Sequence, residues 1–350
     1  MTLAGTPIGA AFERQAKACD ELGSPFTARV CRLAVERLEH QGAVADMIRT
    51  WPVERAVVDA PALRFCGALH ALRRQGWASI SAVYPPASAS DDDLWSAIAT
   101  ALTEHAGFIA ERMQSAPQTN EVRRSAALFP AFAEIADRFP GKPLVLSEIG
   151  ASAGLNLLFD RYAYRFAGMH YGPAEDVAPF TIAPQWQGRR PAHAEISVRE
   201  RAGCDLNPLR ADNPDDCERL LSYIWADQTD RIERTEKALA LARKYRVHVE
   251  KNDALQWLAE RLDTRREDAV HVVYHTIAWQ YLPAAAQREG LDMIAAAGGR
   301  ASRDAPLCHL AMEADDKGPG AALTLVVYPG GEAHTLGRAD FHGRWIDWQL

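Results

Sequence analysis

Lys142–Asn156, KPLVLSEIGASAGLN, constrains the fold more than any other stretch, because an apolar run ends in Glu148-Ile149-Gly150 and passes directly into small residues. Leu144, Val145 and Leu146 have the character of a buried strand, and Gly150 permits a backbone excursion that a Cβ would hinder. Ala151, Ser152, Ala153 and Gly154 then allow a helix to open close to a ligand. The first turn of such a helix directs unpaired N–H groups and the positive end of the helix dipole toward a carboxylate, phosphate or sugar oxygen. Two other readings stand beside this one. Gly150-Ala-Ser152-Ala-Gly154 fits the nucleophile-elbow pattern G-x-S-x-G, and small residues between a strand and a helix also serve close packing alone.

The pattern changes at this point of the chain. Before Pro143, apolar residues recur at three- and four-residue intervals over Ala11–Asp20, Pro25–His40, Ala60–Arg74, Asp93–Met113 and Asn120–Phe139, which predicts helices. After it, short apolar runs alternate with longer amphipathic ones. Strands are expected at Leu144–Ile149, Glu195–Arg201, Arg246–Lys251, Ala269–Tyr274, Leu307–Glu313 and Ala322–Tyr328, with a last one near Asp340–Asp347. Helices fit over Glu218–Tyr245, Ala254–Leu262 and Pro283–Ala297. Alternation of this kind predicts an α/β fold with a doubly wound, mostly parallel sheet, and the polar loop Asp315–Gly320 between two strands predicts a hairpin that gives one antiparallel strand at the end of that sheet. Two domains are expected: a helical one over 1–140, and an α/β one over 141–350 carrying an insertion near 161–190.

Composition narrows the partners. Hydrophobic residues make up 48% and charged residues 24%, ordinary globular usage, and no apolar run reaches the length of a membrane span. The start does not resemble a secretory signal, so a cytoplasmic protein is expected. Net charge is −7 with both signs interleaved, which leaves no positive field for nucleic acid. The six cysteines form no C-x-x-C pair and the eleven histidines no H-E-x-x-H, so reduced thiols and no metal are expected.

The alternation, the Glu148-x-Gly150 turn and the terminal hairpin together resemble the class I S-adenosylmethionine-dependent methyltransferase fold, a Rossmann-like architecture. More closely, most of the chain resembles the bacterial family called domain of unknown function 2332. The likeness rests on separated phrases: ERQAKACDELGSPF, FCGALHAL, YPP, PQTNEVRRSAAL, LSEIGASAGLNLLFDRY, WADQTDRIER, HTIAWQYLP and HGRWIDW.

The methyltransferase resemblance implies S-adenosylmethionine as cofactor and an O or N atom of a small molecule as acceptor. It places Glu148, Gly150, Ala151, Ser152 and Gly154 beside the methionine portion, Asp205 on the ribose hydroxyls, and Asp253 and Ala254 at the adenine. Two departures accompany it. Ser152 stands where the middle glycine belongs, and Asp205 lies far downstream of Glu148, which requires the insertion near 161–190; its Tyr162, Tyr164, Tyr171 and Trp186 suggest part of a lid. Asp253 also suits a plain helix N-cap.

His275, at the end of its strand, is the candidate general base. Gln280, Tyr281 and Glu313 are candidates for orienting the substrate. Asn120 and Arg123, from the polar phrase Gln118–Arg124, are candidates for binding it, although Asn120 equally suits a helix cap. The hydrolase reading would recruit Asp253, Asp315, His309 or His334 after Ser152, but the helical first part lacks the strands and glycine-rich loop that precede an elbow serine. A non-catalytic nucleoside-binding or protein-interaction module is the further alternative.

Overall fold

A computed structural model describes residues 2–39 and 42–350; His40, at the end of one expected helix, lies outside the described residues. The chain divides into two compact units. The first runs to Thr119 and also takes in Pro214–Glu236; the second comprises Asn120–Asn213 and Lys237–Leu350. The border expected at residue 140 is therefore at 119, and the first unit recovers a segment from much later in the chain.

The first unit is helical. Thr6 Oγ1 accepts from Gly9 N at 3.0 Å, and Pro7 occupies the first turn of Pro7–Glu21, where its missing N–H costs nothing. The helix Pro25–Arg37 takes its cap from far away: Asp227 accepts from Phe26 N at 2.9 Å and from the Ser24 hydroxyl. This interaction splits the helix expected over Glu218–Tyr245 into Pro214–Ser222 and Thr229–Lys244, because the intervening turn must present Asp227, while Gln228 Nε2 donates to Leu22 O at 3.2 Å. Phe12, Val30, Phe65, Leu69, Ile98 and Met113 form the core together with Trp225 and Ala226. Replacing Asp227 with Ala should lower the unfolding free energy by about 1–2 kcal/mol, measured by urea denaturation. The helix expected over Asp93–Met113 is broken into Asp91–Glu104 and Ala106–Gln114, at His105-Ala-Gly107, whose His and Gly are weak helix formers.

The second unit is built on a nine-stranded sheet. Its strands are β1 Leu144–Ile149, β2 Ala163–Phe166, β3 Met169–Tyr171, β4 Thr181–Ile182, β5 Gln185–Gly188, β6 Val198–Asp205, β7 Glu250–Lys251, β8 Val270–Thr276, β9 Leu307–Glu313, β10 Ala321–Tyr328, β11 Glu332–Ala339 and β12 Trp345–Trp348. The main sheet runs β5-β12-β11-β10-β9-β8-β1-β6-β7, while β3-β2-β4 form a small separate sheet. From β7 to β9 all pairings are parallel; β9 to β12 are antiparallel. The mixed α/β class, the mostly parallel sheet and the β9–β10 hairpin follow the expected pattern, but β10 does not end the sheet, which β11, β12 and β5 extend.

Three expectations change. The chain after β1 opens no α-helix at Gly154 but a buried 3₁₀ segment, Leu155–Arg161. The tyrosines of the insertion are packed core: Tyr162 and Tyr164 are fully buried, and their hydroxyls donate to Leu155 O and Phe159 O at 2.7 and 2.6 Å, whereas Trp186 is half-buried and residues 172–177 are largely exposed. Strand β11 went unpredicted, since Gly330-Gly331 and Gly337 obscure its alternation; Gly337 sits where a Cβ would lie 2.0 Å from Asp347 O. All six cysteines are buried and free, and no helix among the described residues is long and apolar enough to cross a membrane.

Candidate functional site at the strand carboxyl ends

Every residue of β1 is buried, as a strand covered on both faces requires. Because β1 lies between β6 and β8, the loops after these strands converge where the order of connection reverses, the place where open α/β sheets bind ligands. Gly150 is exposed there with φ +70°, and Ser152 and Gly154 are also left-handed at +55° and +70°.

The turn is closed by its own hydrogen bonds. Ala151 N donates to Cys204 O at 3.0 Å, Ser152 N to Asp205 Oδ2 at 3.0 Å, Gly154 N to Ala151 O at 2.7 Å, and Leu155 N to Asn120 Oδ1 at 2.8 Å. A Cβ on Gly150 would lie 2.5 Å from Ala278 Cβ, and one on Gly154 would lie 2.6 Å from Val247 Cγ1. Close packing thus accounts for both glycines. Ser152 is buried, and its Oγ has no hydrogen-bond partner, so no histidine holds it as a nucleophile's base would.

Asp205 ends β6 directly beside this turn. Its Oδ2 accepts from Ser152 N and its Oδ1 from Asn207 N at 2.9 Å, while the following Leu206 is 61% exposed. Asp253 follows β7 and caps the helix Ala254–Asp263, its Oδ1 accepting from Leu255 N at 2.9 Å and Gln256 N at 3.2 Å. Asp253 is exposed and Ala254 half-buried. The two carboxylates therefore close neighbouring strands, as Asp205 pairs with Lys251 in the β6–β7 register.

Glu148 and His275 are not brought together. Register pairs Glu148 with Tyr274 and Ile149 with His275, so Glu148 and His275 project from opposite faces of the sheet. On one face, Glu148 Oε2 accepts from the Tyr274 hydroxyl at 3.1 Å; burial pushes its carboxyl up to about 8, against the opposing effects of that bond and of Arg124. On the other, His275 Nδ1 lies 2.7 Å from Glu313 Oε1, its Nε2 3.0 Å from His309 Nε2, and its ring stacks on Trp279. Both nitrogens of the expected general base are thus engaged, and the ring is 2% exposed. Burial holds His309 down at about 3. Glu313 is pushed upward by burial, yet His275 and the Ala278 and Trp279 amides outweigh this and keep it below the usual carboxylate range.

The polar phrase before the helix Ser125–Arg138 serves the same region structurally. Asn120 is buried and holds the β1 turn; Arg124 Nη1 donates to Thr276 O at 3.2 Å and Nε to Phe341 O at 2.9 Å. Arg123 N donates to Glu121 Oε1 at 3.0 Å, and Arg123 is half-buried. Gln280 and Tyr281 are exposed, Tyr281 by 75%. Sequence reasoning passed over Leu206 as a contact surface and His309 as a partner of His275. The signals were an apolar residue directly after a strand-end acid, and the two-residue alternation His309-x-Ala311-x-Glu313 on one strand face.

These features define an α/β protein with polar loops gathered at the carboxyl ends of a mostly parallel sheet. Residues 9–348 match the family described as an uncharacterized protein conserved in bacteria, domain of unknown function 2332, and the chain belongs to that family. No curated protein and no solved structure matches it.

Proposed function

We propose that the second unit binds an adenine nucleoside at the ends of β1, β6 and β7, the portion of S-adenosylmethionine, the cofactor that the methyltransferase resemblance implies, for which these strand ends offer partners. The observation that carries this reading is the pair of carboxylates, Asp205 and Asp253, at neighbouring strand ends beside the exposed Leu206 and Gly150. A carboxylate offers about four lone-pair sites, so Asp205 retains acceptor capacity for ribose hydroxyls and Asp253 for an exocyclic amine, with Leu206 as an apolar surface for the base. The parallel order β7-β6-β1-β8-β9, in which the direction of connection reverses at β1, supports this reading, because open α/β sheets bind ligands at such a point.

The adenosine portion fits these residues; the methionine portion does not. The amides of Ala151, Ser152, Gly154 and Leu155 are already bonded, and Glu148 is 1% exposed against Tyr274. Nucleoside binding is therefore the reading favoured over methyl transfer. What favours methyl transfer as the second reading is the exposed Gln280-Tyr281 pair beyond Ala278, where a small O or N acceptor would lie.

Calorimetric titration with adenosine, S-adenosylhomocysteine, S-adenosylmethionine and NAD tests both readings. Micromolar binding of adenosine is expected, with neither sulfur ligand binding more tightly than adenosine and no binding of NAD. Asp253→Ser keeps a helix cap yet removes one acceptor oxygen, so it should weaken adenosine about tenfold without lowering the melting temperature. Absence of adenosine binding to the native chain would refute the nucleoside reading, and turnover of S-adenosylmethionine would promote the second.

A further inference from the structure

The wall of the site on the β8 side depends on a carboxylate that does not belong to the nucleoside-contacting set. Alternation along β9 brings Glu313 to the carboxyl end of its strand, on the face that carries His309 and, across the parallel pairing, His275. Glu313 Oε1 accepts from Ala278 N at 2.9 Å, from Trp279 N at 3.0 Å and from His275 Nδ1 at 2.7 Å. One oxygen thus gathers three donors, two of them consecutive amides of the loop that leaves β8.

That loop needs an anchor. Ile277 N donates to Met312 O at 2.8 Å, prolonging the β8–β9 ladder by one residue, and the chain then turns with Ile277 at φ +51°. A β-branched residue rarely adopts this left-handed conformation, and it persists only where surrounding contacts enforce it. The contacts here are those of Glu313, supported by His275, which stacks on Trp279 with ring centroids 4.7 Å apart. The turn delivers Ala278 onto Gly150, so closely that a Cβ there would lie 2.5 Å away. In strand order, Ala278 stands on one side of Gly150 and Asp205-Leu206 on the other.

We propose that Glu313 is a positioning residue: through the Ala278 and Trp279 amides and the His275 ring, it fixes the Ile277–Tyr281 loop as the wall of the nucleoside site facing Asp205 and Leu206. This rests on the nucleoside reading. It also gives His275 a part other than general base, that of bracing the anchor with both ring nitrogens and one ring face. His309 completes the brace from the middle of β9.

Two measurements on the full-length chain test the assignment. In Glu313→Ala, hydrogen exchange at the Ala278 and Trp279 amides should accelerate at least about tenfold, while amides in the middle of β1 and β8 keep their protection. In the same variant the Kd for adenosine should rise about tenfold, and Glu313→Gln, whose carbonyl oxygen still accepts from both amides, should restore most of that affinity. Unchanged exchange at Ala278 and Trp279, or native affinity in Glu313→Ala, would overturn the proposal, as would a Gln variant no better than Ala. If the native chain does not bind adenosine, the nucleoside reading fails and the wall has no ligand to face; the exchange result then still decides whether Glu313 anchors the loop.

Discussion

Gly150→Val should lower the unfolding free energy of the second unit by about 2–5 kcal/mol, the largest single-residue effect expected at the strand-end site. Two separate costs contribute. At φ +70° a side chain with a Cβ pays about 1–2 kcal/mol for the left-handed conformation, and a Cβ placed 2.5 Å from Ala278 Cβ forces an overpacking cost of about 1–3 kcal/mol. Gly141→Val separates them, since Gly141 has φ +81° but nothing within 4 Å of the place a Cβ would take, so only the conformational cost should appear. Adding Ala278→Gly to Gly150→Val should then recover much of the contact cost, as a double-mutant cycle in urea would measure. Nucleoside affinity should fall with Gly150→Val, because the exposed backbone of the turn lies between the Asp205 and Ala278 loops.

The second large effect is on pH. Burial lowers His70 to about 4 and His271 and His309 to about 3, so the folded chain keeps all three neutral where the unfolded chain protonates them, below about 6.5. Their contribution to stability is present above the unfolded value and is lost as pH falls toward the folded ones. Glu148 has the opposite sign. Raised from 4.5 to about 8, it stays protonated in the folded chain while its unfolded counterpart ionises, so stability is lost as pH rises from about 4.5 through 8. Between pH 4.5 and 6.5 the unfolded chain gains a net two protons from these four groups, a slope of roughly 3 kcal/mol per pH unit, with stability falling toward acid. Above 6.5 Glu148 alone acts, at about 1.4 kcal/mol per unit and with the other sign. The melting temperature should therefore peak near pH 6.5. In Glu148→Gln the decline from 6.5 to 8 should disappear while the acid limb remains; persistence of the alkaline decline in that variant would contradict the assignment.

Hydrophobic patterning made much of the second unit legible. The runs at Leu144–Ile149 and Leu307–Glu313 occupy β1 and β9 as read, because a buried strand is recognisable from its own residues. Asp253 was legible as a cap for the same reason, since its hydrogen bonds reach only Leu255 and Gln256. The helix read from Asn120 starts instead at Ser125, because Asn120 bonds Leu155, a residue that periodicity cannot bring near it.

By itself, then, the sequence determined the alternating α/β class, the positions of β1 and β9, the β9–β10 hairpin and the family, while β6 lies three to four residues beyond its expected place. Each depends on apolar periodicity or on residues a few positions apart, or on phrases spread along the chain. Tertiary structure alone decided that Asp205 closes on Ser152, that Asp227 caps the helix beginning at Pro25, and that Glu313 holds Ala278. It also decided that Glu148 and His275 project from opposite faces: alternation assigns each residue a side of its own strand, but only the register between β1 and β8 relates one side to the other. Polar side chains satisfy backbone groups wherever folding places them, and the partners here are separated by distances along the chain over which no local pattern carries information.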